Sequence, residues 1–185
     1  MPQTGRSMYK LILVTLLLLA PAAFAQNTYS PDYCGFEVTF PEKPYTERKC
    51  DDRQDRCYDL ISYTKNFGPD ASVHVEIICN PVDAEVYGHY SEDVMAATLK
   101  AMRDKDTIQT YETSASKTDT YKQANLIGEG RRGVTPSLYI AQLWIDRKSA
   151  LSVEAELIGE ALTESDQLFS DILKSIQPVS SDIEQ

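Results

Sequence analysis

At 185 residues, 42% of them hydrophobic, the chain suits one domain with a proper core and little left for a second. Against 28 Asp and Glu it carries 18 Lys and Arg, a formal charge of −10. That balance excludes non-specific binding to nucleic acid, which needs clustered bases to displace phosphate counterions, and it argues against docking on anionic lipid.

Residues 1–25 read as a secretory signal peptide. Arg6 and Lys10 form the positive start, Leu11 to Ala20 the apolar stretch, and Ala23-Phe24-Ala25 the small-x-small cleavage pattern. Translation can begin at Met1 or at Met8, since either leaves a complete signal. A membrane anchor is the rival reading, but the apolar run falls short of the roughly 20 residues a spanning helix needs. No cysteine stands immediately after Ala25, so a bacterial lipid anchor is not expected. The mature chain is therefore expected outside the cytosol, in the periplasm or beyond the cell, with no membrane span.

Export changes how the four cysteines are read. Cys34, Cys50, Cys57 and Cys79 are an even set, and in an oxidising compartment they form two disulfides with three possible pairings. A zinc site is disfavoured because paired ligands usually lie two to four residues apart, a spacing that neither Cys50 and Cys57 nor the two histidines offer.

Phe36, Val38 and Phe40 alternate with Glu37 and Thr39 as a half-buried strand ending at Pro41-Glu42-Lys43-Pro44. Residues 45–50 return, the charged stretch 51–56 turns, 57–64 run out, 66–70 turn, and Val73, Val75 and Ile77 lead back to Cys79. This four-strand meander puts all four cysteines at one end, where any pairing meets the Cα separation of roughly 4–7 Å that a disulfide needs. Proximity across the charged turn favours Cys50–Cys57, with Cys34–Cys79 tying the first strand to the fourth.

After a loop at 81–90, Ser91 is placed to cap a helix running to about Arg103, with Glu92 and Asp93 suiting its dipole. Weaker strands are predicted near 108–117 and 121–130. Leu138 to Ile145 is apolar on both faces, the pattern of a covered central strand. A turn at 146–149 leads to a returning strand, in which Leu151, Val153, Ala155 and Leu157 alternate with Ser152, Glu154 and Glu156. Thr163 with Asp166 suggests a capping box, and Leu168, Phe169, Ile172, Leu173 and Ile176 stripe a last helix stopped by Pro178. Residues 26–178 thus read as one α+β domain, an antiparallel β-sheet sandwiched by helices, and 179–185 as a polar tail.

The run Phe36-Glu37-Val38-Thr39-Phe40-Pro41-Glu42-Lys43-Pro44 resembles the F-x-V-x-F-P-x-x-P opening of the PsbP/DcrB-like proteins. The acid-capped helix, the long hairpin at 138–158 and the closing amphipathic helix follow in the same order. The resemblance implies an antiparallel sheet between helices and a binding or accessory role, and no chemistry. The cysteines and the acidic turn are not part of the shared pattern.

No catalytic or cofactor template is completed. Gly128-Glu129-Gly130-Arg131-Arg132-Gly133 matches G-x-G-x-x-G, but Val134-Thr135-Pro136 and a strand follow where a dinucleotide site needs a helix. Those glycines instead suit a twist or bulge between strands. His74 lies among outward strand residues beside Glu76, His89 sits in a loop, and no Gly-x-Ser-x-Gly is present. Asp51, Asp52 and Asp55 lack calcium-loop spacing and have Arg53 and Arg56 as competitors. No cofactor and no metal are expected.

Tyr87, His89 and Tyr90 in the loop 81–90 are the partner-binding candidates, because loop tyrosines make large contacts at low entropy cost. The expected function is a non-enzymatic, exported binding or accessory domain, for instance an immunity-type protein masking a basic partner. The alternatives are an envelope-acting hydrolase using carboxylates and a structural subunit of an envelope assembly.

Overall fold

The computed structural model describes residues 27–50 and 57–179. The signal-peptide reading, the charged turn 51–56 and nearly all of the polar tail lie outside the described residues.

The described residues form two sheets and three short helices. The larger sheet is antiparallel and seven-stranded, in the order β3 (Tyr45–Cys50), β4 (Cys57–Phe67), β5 (Ala71–Pro81), β9 (Ser149–Gly159), β8 (Thr135–Ile145), β7 (Lys122–Arg132), β6 (Ile108–Lys117). Two meanders, β3–β5 and β6–β9, therefore meet at the long-range pair β5–β9. Helices α1 (Ala84–His89) and α2 (Glu92–Met102) lie between them in sequence. Helix α3 (Thr163–Lys174) follows β9.

The small sheet overturns the expected four-strand meander. β2 (Phe36–Phe40) does not pair with β3; it pairs with β1 (Asn27–Tyr29) and β10 (Gln177–Pro178). The reason is burial. Phe36, Val38 and Phe40 are wholly buried, and they can be so only if β2 lies across the large sheet instead of at its rim.

One face of the large sheet packs against β2 and α3. Val73, Val75, Ile77 and Cys79 stand directly opposite Leu157, Ala155, Val153 and Leu151, so the period-2 pattern of both strands fills one core. The opposite face packs against α2, where Met95 and Leu99 meet Leu126, Ala141 and Ile145. An α+β sandwich results, with a core on each side of the sheet.

Local corrections follow the same logic. Residues 84–89 are helix α1, not loop, because Asp83 accepts a bond from Val86 N at 2.8 Å and caps it. The Thr163–Asp166 capping box does not form. Leu162 occupies the cap position without a side-chain bond, and Ser165 Oγ donates to the Leu162 carbonyl. Ser91 caps α2 as its sequence suggests.

Both favoured disulfides are present: Cys34–Cys79, with Cα atoms 6.0 Å apart, and Cys50–Cys57, which stand directly opposite each other in the β3–β4 hairpin. The glycine-rich run lies in β7 and its turn to β8. A Cβ at Gly130 would collide with the Thr107 carbonyl and one at Gly128 with Ile108, so the glycines let the irregular start of β6 close on β7. Gly133 takes φ +66° in the turn.

Candidate functional site

Helix α3 is narrower than the sheet beneath it. Along one row, Val75, Ala155, Ile140, Ile127 and Glu112 stand in succession on β5, β9, β8, β7 and β6. Val75 and Ala155 are buried and Ile140 is half-buried, whereas Ile127 is 52% exposed. Where the helix stops covering the row, a groove of about 390 Å³ opens. Its apolar surface comes from Ile127, Leu138, Ile140 and Leu157 on the sheet and Phe169 and Leu173 on the helix. Asn125, Gln142, Asp166, Ser170 and Lys174 complete the lining. Glu112 stands directly opposite Ile127, and Glu129 directly opposite Leu138. An apolar strip bordered by three carboxylates and one ammonium suits an apolar anchor flanked by bases.

On the other face, beyond the reach of α2, polar side chains gather where β5 meets β9. Glu76 stands directly opposite Glu154, and His74 opposite Glu156. Thr64 Oγ1 is 2.8 Å from His74 Nδ1, and His74 Nε2 is 3.3 Å from Glu76 Oε1. Tyr139 Oη donates to Glu154 Oε2 at 2.7 Å. Arg132 holds Glu156 bidentately, Nε at 2.8 Å and Nη2 at 2.6 Å from Oε2. Because half of the Arg132 side chain stays in water, the pair is worth about 1 kcal/mol.

Burial pushes the Glu154 carboxyl above the usual carboxylate range, and the charge of Glu76 adds to the rise. The bond from Tyr139 and the charge of His74 pull it back. Tyr139 in turn is buried beside Glu154 and Glu156, which raises its phenol and keeps it a donor. A raised folded-state carboxyl contributes stability that is complete below its ordinary value of 4.5 and is lost as pH rises through the folded value. Glu154→Gln is therefore expected to gain on the wild type as pH climbs from about 4 to about 7. Urea midpoints at stepped pH measure this, and a pH-independent difference would contradict it.

A hydroxyl, an imidazole and a carboxylate in a row suggest nucleophilic chemistry, yet these three sit on paired antiparallel strands. The main-chain groups of β5 at His74 and Glu76 lie between β4 and β9 and are committed to the ladder on both sides. Among the described residues no group of three or more His, Cys, Asp or Glu is arranged to hold a metal ion.

Of the partner-binding candidates, Tyr87 and Tyr90 are half-buried and lean on the core beneath α2, while His89 is exposed at the end of α1. Lys122 Nζ donates to both tyrosine carbonyls at 2.8 Å and lies 4.3 Å from the Tyr87 ring centroid. The segment is thereby fastened to the sheet. Sequence reasoning did not find the groove, whose residues come from β7, β8, β9 and α3. Its one local signal was Ile127, an apolar residue between polar neighbours on its own face of the strand.

No family model matches the chain, and no curated protein matches it. Among solved structures it is similar to LpqN, involved in cell envelope biogenesis of Mycobacterium tuberculosis, at 12% identity over 85% of this chain and 88% of that one, TM-score 0.43. It is similar also to the Saccharomyces cerevisiae Ran-binding protein Mog1p, at 8% identity over 85% of this chain and 97% of that one, TM-score 0.43. A Bacteroides thetaiotaomicron protein shares 14% identity over 83% of this chain and 48% of its own, TM-score 0.38. Likeness this loose fixes neither family nor function.

Proposed function

We propose that the chain is an exported, non-enzymatic domain of the PsbP/DcrB-like kind that binds a protein partner through the groove between α3 and β7–β8. The observation that carries this reading is the groove itself. Ile127 leaves an apolar strip open beside Phe169 and Leu173, continuous with the core beneath α3. Acid around the strip and a net charge of −10 favour a basic partner, captured faster at low salt. Two disulfides suit an oxidising compartment such as the periplasm. Among the described residues no helix is long and apolar enough to cross a membrane.

The test is Ile127→Arg. On an exposed strand position it should change stability by no more than about 0.5 kcal/mol. It should weaken capture of the partner from periplasmic extract by about tenfold or more. Undiminished capture by the variant, or no partner for the wild type at low salt, would count against the groove. The alternative of a carboxylate-dependent hydrolase has one observation behind it, the raised Glu154 carboxyl facing Glu76. Loss of an envelope-degrading activity in Glu154→Gln, with the fold intact, would favour it.

A further inference from the structure

The large sheet has two edges built differently. β3 is short, carries Glu47-Arg48-Lys49 in succession and is tied to β4 by the Cys50–Cys57 disulfide. Charges on a short edge strand are a device against unwanted pairing. β6 is ten residues long, and only its beginning is protected. Ile108 N donates to the Asp104 carbonyl, the Ile108 carbonyl accepts from Arg103 Nη1 at 2.8 Å, and the ladder is irregular between Ile108 and Thr110. From Tyr111 to Lys117 the strand pairs residue for residue with β7, and no other strand among the described residues covers its outer side. That segment has no proline, and its only charges are Glu112 and Lys117.

We propose that β6 pairs with β6 of a second copy, antiparallel, about a two-fold axis through Ser114. The ladder with β7 is regular from Thr110 to Lys117, and an axis through Ser114 uses Tyr111–Lys117 of it, setting both charges of that stretch opposite neutral residues. In an antiparallel pair around such an axis, opposed residues share a face. Thr113 then meets Ala115, Glu112 meets Ser116, and Tyr111 meets Lys117. No like charges stand opposite, and the residues nearest the axis are small. Helix α2 packs over β7 and, to a lesser extent, β6 and β8, and Arg103 at its end lies 4.5 Å from the Tyr111 ring centroid. The partner is a second copy and not a foreign strand because the segment complements itself.

Charge supplies a signature. Two acidic copies repel, so this dimer tightens as salt is raised, whereas a basic partner in the groove would bind more weakly. One contact of this size makes a weak, concentration-dependent dimer. Sedimentation of the exported chain over a concentration series, at low and high salt, should show it. Ser114→Lys and Ser114→Glu each place like charges at the axis and should raise the dissociation constant about fivefold or more. An equimolar mixture of the two variants should restore dimers, which a general disturbance of the strand would not do. A wild type monomeric at every concentration, or dimers indifferent to both substitutions, would overturn the proposal. Neither outcome touches the groove reading, which Ile127→Arg tests separately.

Discussion

Removing the Cys34–Cys79 bridge, as Cys34→Ala with Cys79→Ala, is expected to cost about 4 kcal/mol, against about 2.5 kcal/mol for Cys50→Ala with Cys57→Ala. The difference follows from the loops. Cys34 and Cys79 are 45 residues apart in sequence, Cys50 and Cys57 only 7, and the longer loop takes more freedom from the unfolded chain. Position works in the same direction. Cys34 and Cys79 are buried, and their bridge joins the approach to β2 with the end of β5, two strands that share no ladder. The second bridge spans a pair that β3–β4 hydrogen bonds already align. Alanine is chosen so that no hydroxyl is left buried without a partner. Urea denaturation of both double variants beside the wild type makes the comparison. Equal losses would show that loop closure is not what the bridges contribute.

Much of this architecture was legible residue by residue. Period-2 alternation marked β2, β5 and β9, because burial on one face demands it, and an apolar run on both faces marked β8. Ser91 marked the start of α2, because its hydroxyl has an unpaired N–H to satisfy. What alternation cannot carry is the identity of a neighbour. Strand 36–40 shows the same pattern whether it edges the large sheet or crosses it, and only the complete burial of Phe36, Val38 and Phe40 decides. The acidic face was hidden for the same reason. Glu76 and Glu154 read separately as outward residues, and they become neighbours only through the long-range pair β5–β9. The groove is further still from sequence, since it exists where one helix fails to cover a row drawn from several strands.

Phe36→Ala is the sharpest test of β2 as a structural layer. Phe36 is wholly buried, its ring centroid 6.1 Å from that of Tyr121 and 5.9 Å from that of Trp144, and those two rings are 5.4 Å apart. The three form the floor between β2 and the large sheet, so truncation removes aromatic contacts and leaves a cavity that flanking strands cannot easily close. A loss of about 3–5 kcal/mol is expected, a large part of the 5–15 kcal/mol that holds a domain folded. Phe36→Leu, which keeps most of the volume, should lose less than half as much and guards against a variant that does not fold. Trp144 is the only tryptophan in the chain, and it touches the new cavity. Its emission should therefore shift to the red in the folded state of Phe36→Ala, before denaturant is added. A loss under about 1 kcal/mol, with Trp144 undisturbed, would mean that β2 merely rests on a core complete without it.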